Sequence, residues 1–153
     1  MSQDTKERII QAVIKMFNTY SYNDISTSMI IKEVGIGKGT LYWHFPSKEN
    51  IFEIAFEQCY KEMIAISRKG LDSCSSVVEK LSRRLSNLLE FNINNPEKGE
   101  MIFKYITHMN NDVKTNPFPY GVFLQDIALL VQEGLKNGEL KPLPESFLIM
   151  MIH

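Results

Sequence analysis

Two short amphipathic segments meet at Gly35 in the stretch Ser26-Thr-Ser-Met-Ile-Ile-Lys-Glu-Val-Gly-Ile-Gly-Lys-Gly-Thr-Leu-Tyr-Trp-His-Phe-Pro-Ser-Lys48, and this junction constrains the fold more than any other feature. Glycine permits the positive backbone angle that a tight turn between helices requires. The pattern is that of a helix-turn-helix. Ser26 is placed to cap the first segment, which carries Met29, Ile30 and Val34 on one side. The second begins near Gly37 and stops before Pro46, because proline disfavours helical geometry in the residue before it. Leu41 and Phe45 are four apart and should face a core. Lys38, Gly39, Thr40, Tyr42, Trp43 and His44 are then left outward.

The flanking sequence repeats at helical spacing throughout. Asp4 and Glu7 suit an N-cap pair, and Ile9, Ile10, Val13, Ile14 and Phe17 predict a first helix of roughly four turns. Ser47 caps a fourth helix with Ile51, Phe52, Ala55, Phe56, Cys59, Met63 and Ile66 on its buried side, ending around Gly70. Ser76 with Glu79 opens a fifth, through Leu81, Leu85, Leu88 and Leu89, that stops at Asn94-Asn95-Pro96. A sixth holds Met101, Ile102, Tyr105, Ile106 and Met109. A proline-bracketed loop, Thr115 to Pro119, leads to a seventh through Phe123, Ile127, Leu130 and Val131, closed by Gly138. An eighth opens at Pro144 and is cut short at His153, which suggests a truncated chain. With no sustained alternation of period two, the expectation is an all-α fold: a three-helix head over residues 1–50, its helix-turn-helix at about 26–45, and a larger helical body over 51–153 that is incomplete at the carboxyl end.

The outward residues of the second segment carry the chemistry of duplex recognition. Lys38 can donate to guanine acceptors or phosphate, Thr40 can meet a base edge or thymine methyl, and Gly39 lets the backbone approach closely. Tyr42 and His44 suit phosphate oxygens, and Lys48 adds its charge to the amide donors opening the fourth helix. Trp43 either packs on a sugar edge or anchors against the fourth helix. Thr27 and Ser28 either hydrogen-bond phosphate or cap their own helix. Charge lowers the expectation of nucleic acid without removing it: six of the 17 Lys and Arg and five of the 18 Asp and Glu fall in residues 1–50, and the net charge is -1.

The run Gly39-Thr40-Leu41-Tyr42-Trp43-His44-Phe45, with Ser47-Lys48 after it, resembles the signature of the tetracycline-repressor (TetR/AcrR) family of bacterial transcriptional regulators. The likeness is close over about residues 5 to 52 and extends to the body only in helix order and length. It implies a homodimer with paired recognition helices, double-stranded operator DNA as partner, a ligand pocket in the body, and release of DNA when that pocket fills. It also implies a dimer made by the last two helices, of which Phe147, Leu148, Met150 and Met151 are the beginning. Three residues depart from the family pattern: Ile31 and Val34 stand where small residues are usual, and Gly37 replaces a serine cap. Ile31 should spread or repack the two helices.

In the body, Phe56, Tyr60, Met63, Met101, Tyr105, Met109 and Phe123 read either as ordinary core or as walls of a pocket for a small lipophilic or aromatic effector. Enzyme readings fail. Gly35-Ile-Gly-Lys-Gly-Thr40 lacks the spacing of a phosphate loop and follows a helix. The three histidines, His44, His108 and His153, form no metal-ligand pair, so neither metal nor cofactor is expected. Cys59 and Cys74 read as free thiols of a reduced cytosol, and a thiol redox sensor or a protein-interaction module without an effector remains the alternative. The amino-terminal residues lack a secretory leader and the longest apolar run, Phe147 to Ile152, is too short for a membrane. The expected setting is therefore cytoplasmic.

Overall fold

A computed structural model describes residues 2–110 and 120–142. The described residues form α1 (Ser2–Thr19), α2 (Thr27–Val34), α3 (Lys38–His44), α4 (Lys48–Ser67), α5 (Val77–Asn94), α6 (Pro96–Asn110) and α7 (Tyr120–Lys136), with a 3-10 turn at Leu71–Ser73. The all-α expectation holds among them. The Thr115–Pro119 loop and the eighth helix, with Phe147, Leu148, Met150 and Met151, lie outside the described residues.

Serine caps set three of the helix starts. Ser26, Ser47 and Ser76 accept from the backbone amides of Met29, Asn50 and Glu79 at 3.2, 3.1 and 3.1 Å, each satisfying one amide that a helix start leaves open. The first helix differs from expectation. It begins at Ser2, so Asp4 lies in the first turn rather than at the cap, where its charge still opposes the positive end of the helix dipole. Glu7 does not reach back; its carboxylate accepts from Gln11 and from Gln58 on α4.

One hydrophobic cluster runs through the molecule without a break at residue 50. Ile9, Val13 and Phe17 of α1 share it with Ile30, Leu41 and Phe45 and with Phe52, Phe56, Phe91, Met101 and Tyr105. Ile31, half-buried, packs onto the same cluster. The inward row of α5 departs from the leucine pattern of its sequence. Leu85 and Leu89 are 60% and 57% exposed, and the buried positions are Val77, Arg84 and Phe91, spaced seven apart along the helix. An arginine thus occupies the middle of an inward helix face.

Candidate nucleic-acid interface and body cleft

The turn between α2 and α3 is made by Gly35, whose φ of 71° and ψ of 41° lie in the left-handed region that only glycine enters without strain. Its amide and that of Ile36 both return to the Ile31 carbonyl, at 3.0 and 3.2 Å. Two cations then hold α2 at its ends. Lys48 donates to the Ile25 carbonyl ahead of α2 at 3.1 Å, and Arg8 of α1 donates to the Val34 carbonyl at its last residue at 2.8 Å. Arg8 opposes the negative end of the α2 dipole. Its tertiary partner lies 26 residues away, which is why spacing alone did not single it out.

α3 presents the face expected of it. Leu41 and Phe45 are buried, while Lys38, Gly39, Thr40, Tyr42 and Trp43 are exposed and His44 is half-buried. Trp43 is 71% exposed with its ring edge-on to His44 at 4.6 Å, so it is not an anchor buried against α4. Ser26 being the cap of α2, the half-buried Thr27 and exposed Ser28 are spared that duty in its first turn. Lys48 is placed differently from the rest. Besides the Ile25 carbonyl it lies over the Tyr22 and Phe52 rings at 5.6 and 5.4 Å, so it faces the protein as much as the solvent.

Tyr22, which sequence reading passed over, links head to body. His108 of α6 stacks on its ring at 3.6 Å, and Phe17 and Phe52 meet it edge-on. Burial raises the Tyr22 phenol above its ordinary pKa, with Glu49 and Glu53 adding to the effect. Nearby, Lys104 of α6 donates to the Phe17 carbonyl at 2.6 Å. The end of α1 is thereby fastened to α6.

In the body, a cleft of about 360 Å3 lies between α4 and α7, lined by Tyr60, Ile64, Ala65 and Val122 with Glu57, Lys61 and Arg68 at its polar edge. Of the seven residues read as pocket walls, Tyr60 lines it. Phe56, Met101 and Tyr105 are core, with Phe56 stacked on Tyr105 at 4.4 Å. Met63 is half-buried against that core and Phe123 packs under Arg84 at 4.9 Å. The Met109 side chain lies outside the described residues. Beside the cleft, Asp126 of α7 accepts from both Arg68 and Arg84. Burial pushes its carboxyl up, but the hydrogen bonds from Arg84 and Arg68 outweigh this and hold it below the ordinary value.

Cys59 is buried, and desolvation, opposed by Lys98, pushes its thiol up to about 12. A thiol so held stays protonated near neutrality and is a poor nucleophile. Among the described residues no three His, Cys, Asp or Glu side chains converge as metal ligands do, and no helix is long and apolar enough to cross a membrane.

A glycine turn, a short second helix and an outward polar and aromatic face define a helix-turn-helix DNA-binding protein. Residues 9–55 match the model of the bacterial regulatory proteins, tetR family. The chain is 31% identical over 138 residues to an HTH-type transcriptional regulator of Staphylococcus aureus, covering 90% of this chain and 71% of that one. To the uncharacterized HTH-type transcriptional regulator YhgD of Bacillus subtilis it is 26% identical over 148 residues, 93% of this chain and 75% of YhgD. A TetR family transcription regulator from Marinobacter aquaeolei shares the fold, with a TM-score of 0.75 over 93% of this chain and 74% of that one at 18% identity. The chain belongs to the TetR family of bacterial regulatory proteins and is a DNA-binding transcription regulator, not an enzyme.

Proposed function

We propose that this regulator is a repressor that binds its operator as a homodimer and is released by a small lipophilic or aromatic ligand held in the helical body. The observation that carries the DNA-contact assignment is the division of α3, where Leu41 and Phe45 are 1% exposed while Tyr42 and Trp43 are 43% and 71% exposed. Exposed neighbouring aromatics are a standing cost in water unless a partner covers them. Lys38, Gly39 and Thr40 meet base edges at the leading end of α3, Tyr42 and His44 reach phosphate, and Trp43 lies on the sugar edge. Thr27 and Ser28 at the start of α2 and Lys48 at the start of α4 add backbone contacts on either side. Two such heads read half-sites about 34 to 36 Å apart. Repression is favoured over activation because the described residues offer no part evident for contacting polymerase. Such a regulator works where the chromosome is, in the cytoplasm.

Release follows from α4, whose 20 residues reach about 30 Å from the head to the cleft. Its far half walls the cleft through Tyr60, Ile64 and Ala65, and its first residue, Lys48, is tied to the Ile25 carbonyl. A ligand that prefers one tilt of α4 therefore prefers one spacing of the paired heads, and shifts the population toward it. The thiol-sensor alternative loses one of its two candidates with the burial of Cys59.

The test is a gel shift on DNA upstream of the protein's own gene, with Trp43, the sole tryptophan, as an in-place fluorescent reporter. Tyr42→Ala is expected to weaken binding about tenfold in a dimer that loses one hydrogen bond per head, with an unchanged circular dichroism spectrum. Equal affinity in the variant would remove α3 from the interface. A monomer by light scattering under DNA-binding conditions would remove the paired-head mechanism.

A further inference from the structure

The buried arginine of α5 bears on what the ligand is. Arg84 is 2% exposed; its Nη2 donates to Asp126 Oδ2 at 3.0 Å, and its Nε is buried with no hydrogen-bond partner. Arg68 donates to the same carboxylate oxygen through Nε at 2.7 Å and lies 2.6 Å from it through Nη2. Two guanidinium groups thus share one carboxylate, and one of them has an unused donor out of reach of water. Such an arrangement is costly, since a buried charge needs both a counter-charge and its full set of hydrogen bonds.

The nearby charges do not supply the deficit. Lys61 is paired with Glu57 at 3.0 Å and Lys80 with Glu133 at 2.9 Å, and among the described residues Asp126 is the one carboxylate in ion-pair contact with Arg68 and Arg84. Arg68 stands at the edge of the apolar cleft walled by Tyr60, Ile64, Ala65 and Val122. Tyr60 is near enough to feel the charges of both Asp126 and Arg84. A second hollow of about 410 Å3 is lined by Arg68, Arg84 and Asp126, but Asp72 and Glu133 also line it and disfavour an incoming anion.

Resting on the inducer reading above, we propose that the ligand is an amphipathic carboxylic acid, its apolar chain in the α4–α7 cleft and its carboxylate on Arg68 at the cleft edge, where it competes with Asp126. The guanidinium fork matches a carboxylate with two parallel hydrogen bonds. The cleft, at about 360 Å3, falls at the small end of the roughly 300–1,000 Å3 usual for ligand sites. Asp126 holds the place the ligand's carboxylate takes. Its displacement loosens α7 from α4 and α5, because Asp126 is the α7 residue that binds both arginines.

Calorimetric titration of the full chain with decanoate and with decanol separates charge from chain length. Decanoate is expected to bind about tenfold or more tighter than decanol, the range of a charged hydrogen bond. Arg68→Gln should abolish that preference, and Asp126→Asn should strengthen decanoate binding by removing the competing carboxylate. Arg84→Met tests the buried partner; should it fail to fold, Arg68, with a side chain 48% exposed, keeps the question answerable. Absent decanoate binding, equal binding of decanol, or undiminished decanoate binding by Arg68→Gln overturns the proposal. If decanol releases DNA in the gel shift and decanoate does not, the inducer reading stands and the acid assignment falls. If decanoate binds with the stated dependence on Arg68 and Asp126 yet leaves DNA bound, the site stands and the inducer reading falls.

Discussion

Gly39 stands inside α3, and beyond its chain neighbours and the helix's own backbone nothing lies within 4 Å of the position a Cβ would take. Glycine within a helix costs about 0.5–1 kcal/mol relative to alanine, and nothing in the fold asks for it. Gly39→Ala is therefore expected to stabilise the protein by about that amount while weakening operator binding, read by urea unfolding and gel shift. A variant that binds as tightly as the parent would show that no backbone approach occurs there. Cys59 makes the opposite case, of a reactive group silenced by packing. Its thiol pKa is raised from 9.0 to about 12, so its contribution to stability is complete below about 9 and is lost as the pH climbs toward 12. At pH 8 a thiol reagent should modify the half-exposed Cys74 quickly and Cys59 only once denaturant is added. Equal rates for the two would contradict the burial.

Helices α2 and α3 are short, and their position depends on what grips them. Helices of 8 and 7 residues are too short to be stable alone in water, so α1 and α4 must hold them. They do so through Leu41 and Phe45 in the core and through the cations at either end of α2. Lys48→Met loses a charged hydrogen bond to the Ile25 carbonyl and its place over two rings, and is expected to cost about 1–3 kcal/mol of stability. The urea midpoint measures it. Loss of DNA binding by a Lys48 variant would thus mix two effects, whereas Tyr42→Ala removes a side chain with no core role. An unchanged midpoint would mean that the tie contributes nothing.

Head and body share one core, and this governs how the molecule should unfold. The cluster joins Ile9 and Phe17 of α1 to Phe52 of α4 and Met101 of α6, and Lys104 and His108 fasten α6 to the end of α1 and to Tyr22. Far-ultraviolet circular dichroism, which follows the helices, and near-ultraviolet circular dichroism, which follows the packed tyrosines, should therefore report a single coincident transition. Two separated transitions would show a head that folds by itself. The same continuity is the route that the proposed release would use, because α4 runs from Lys48 beside the head to the cleft.

Much of this was legible along the chain. Serine caps, the glycine turn and the periodic apolar residues placed α1 to α5 to within a few residues, because capping and helical periodicity are local properties of neighbouring residues. The inward turn of Leu41 and Phe45, and with it the outward face of α3, followed from a spacing of four. Direction and partnership did not follow where they depend on distant residues. Leucines at 85 and 89 outweigh an arginine in any local reading, yet Arg84 is the residue turned inward, since Asp126, 42 residues later, supplies its counter-charge. The same holds for Lys48, whose partner is a carbonyl 23 residues earlier. Burial of a charge is decided by what packing brings beside it, and that is a property of the assembled helices.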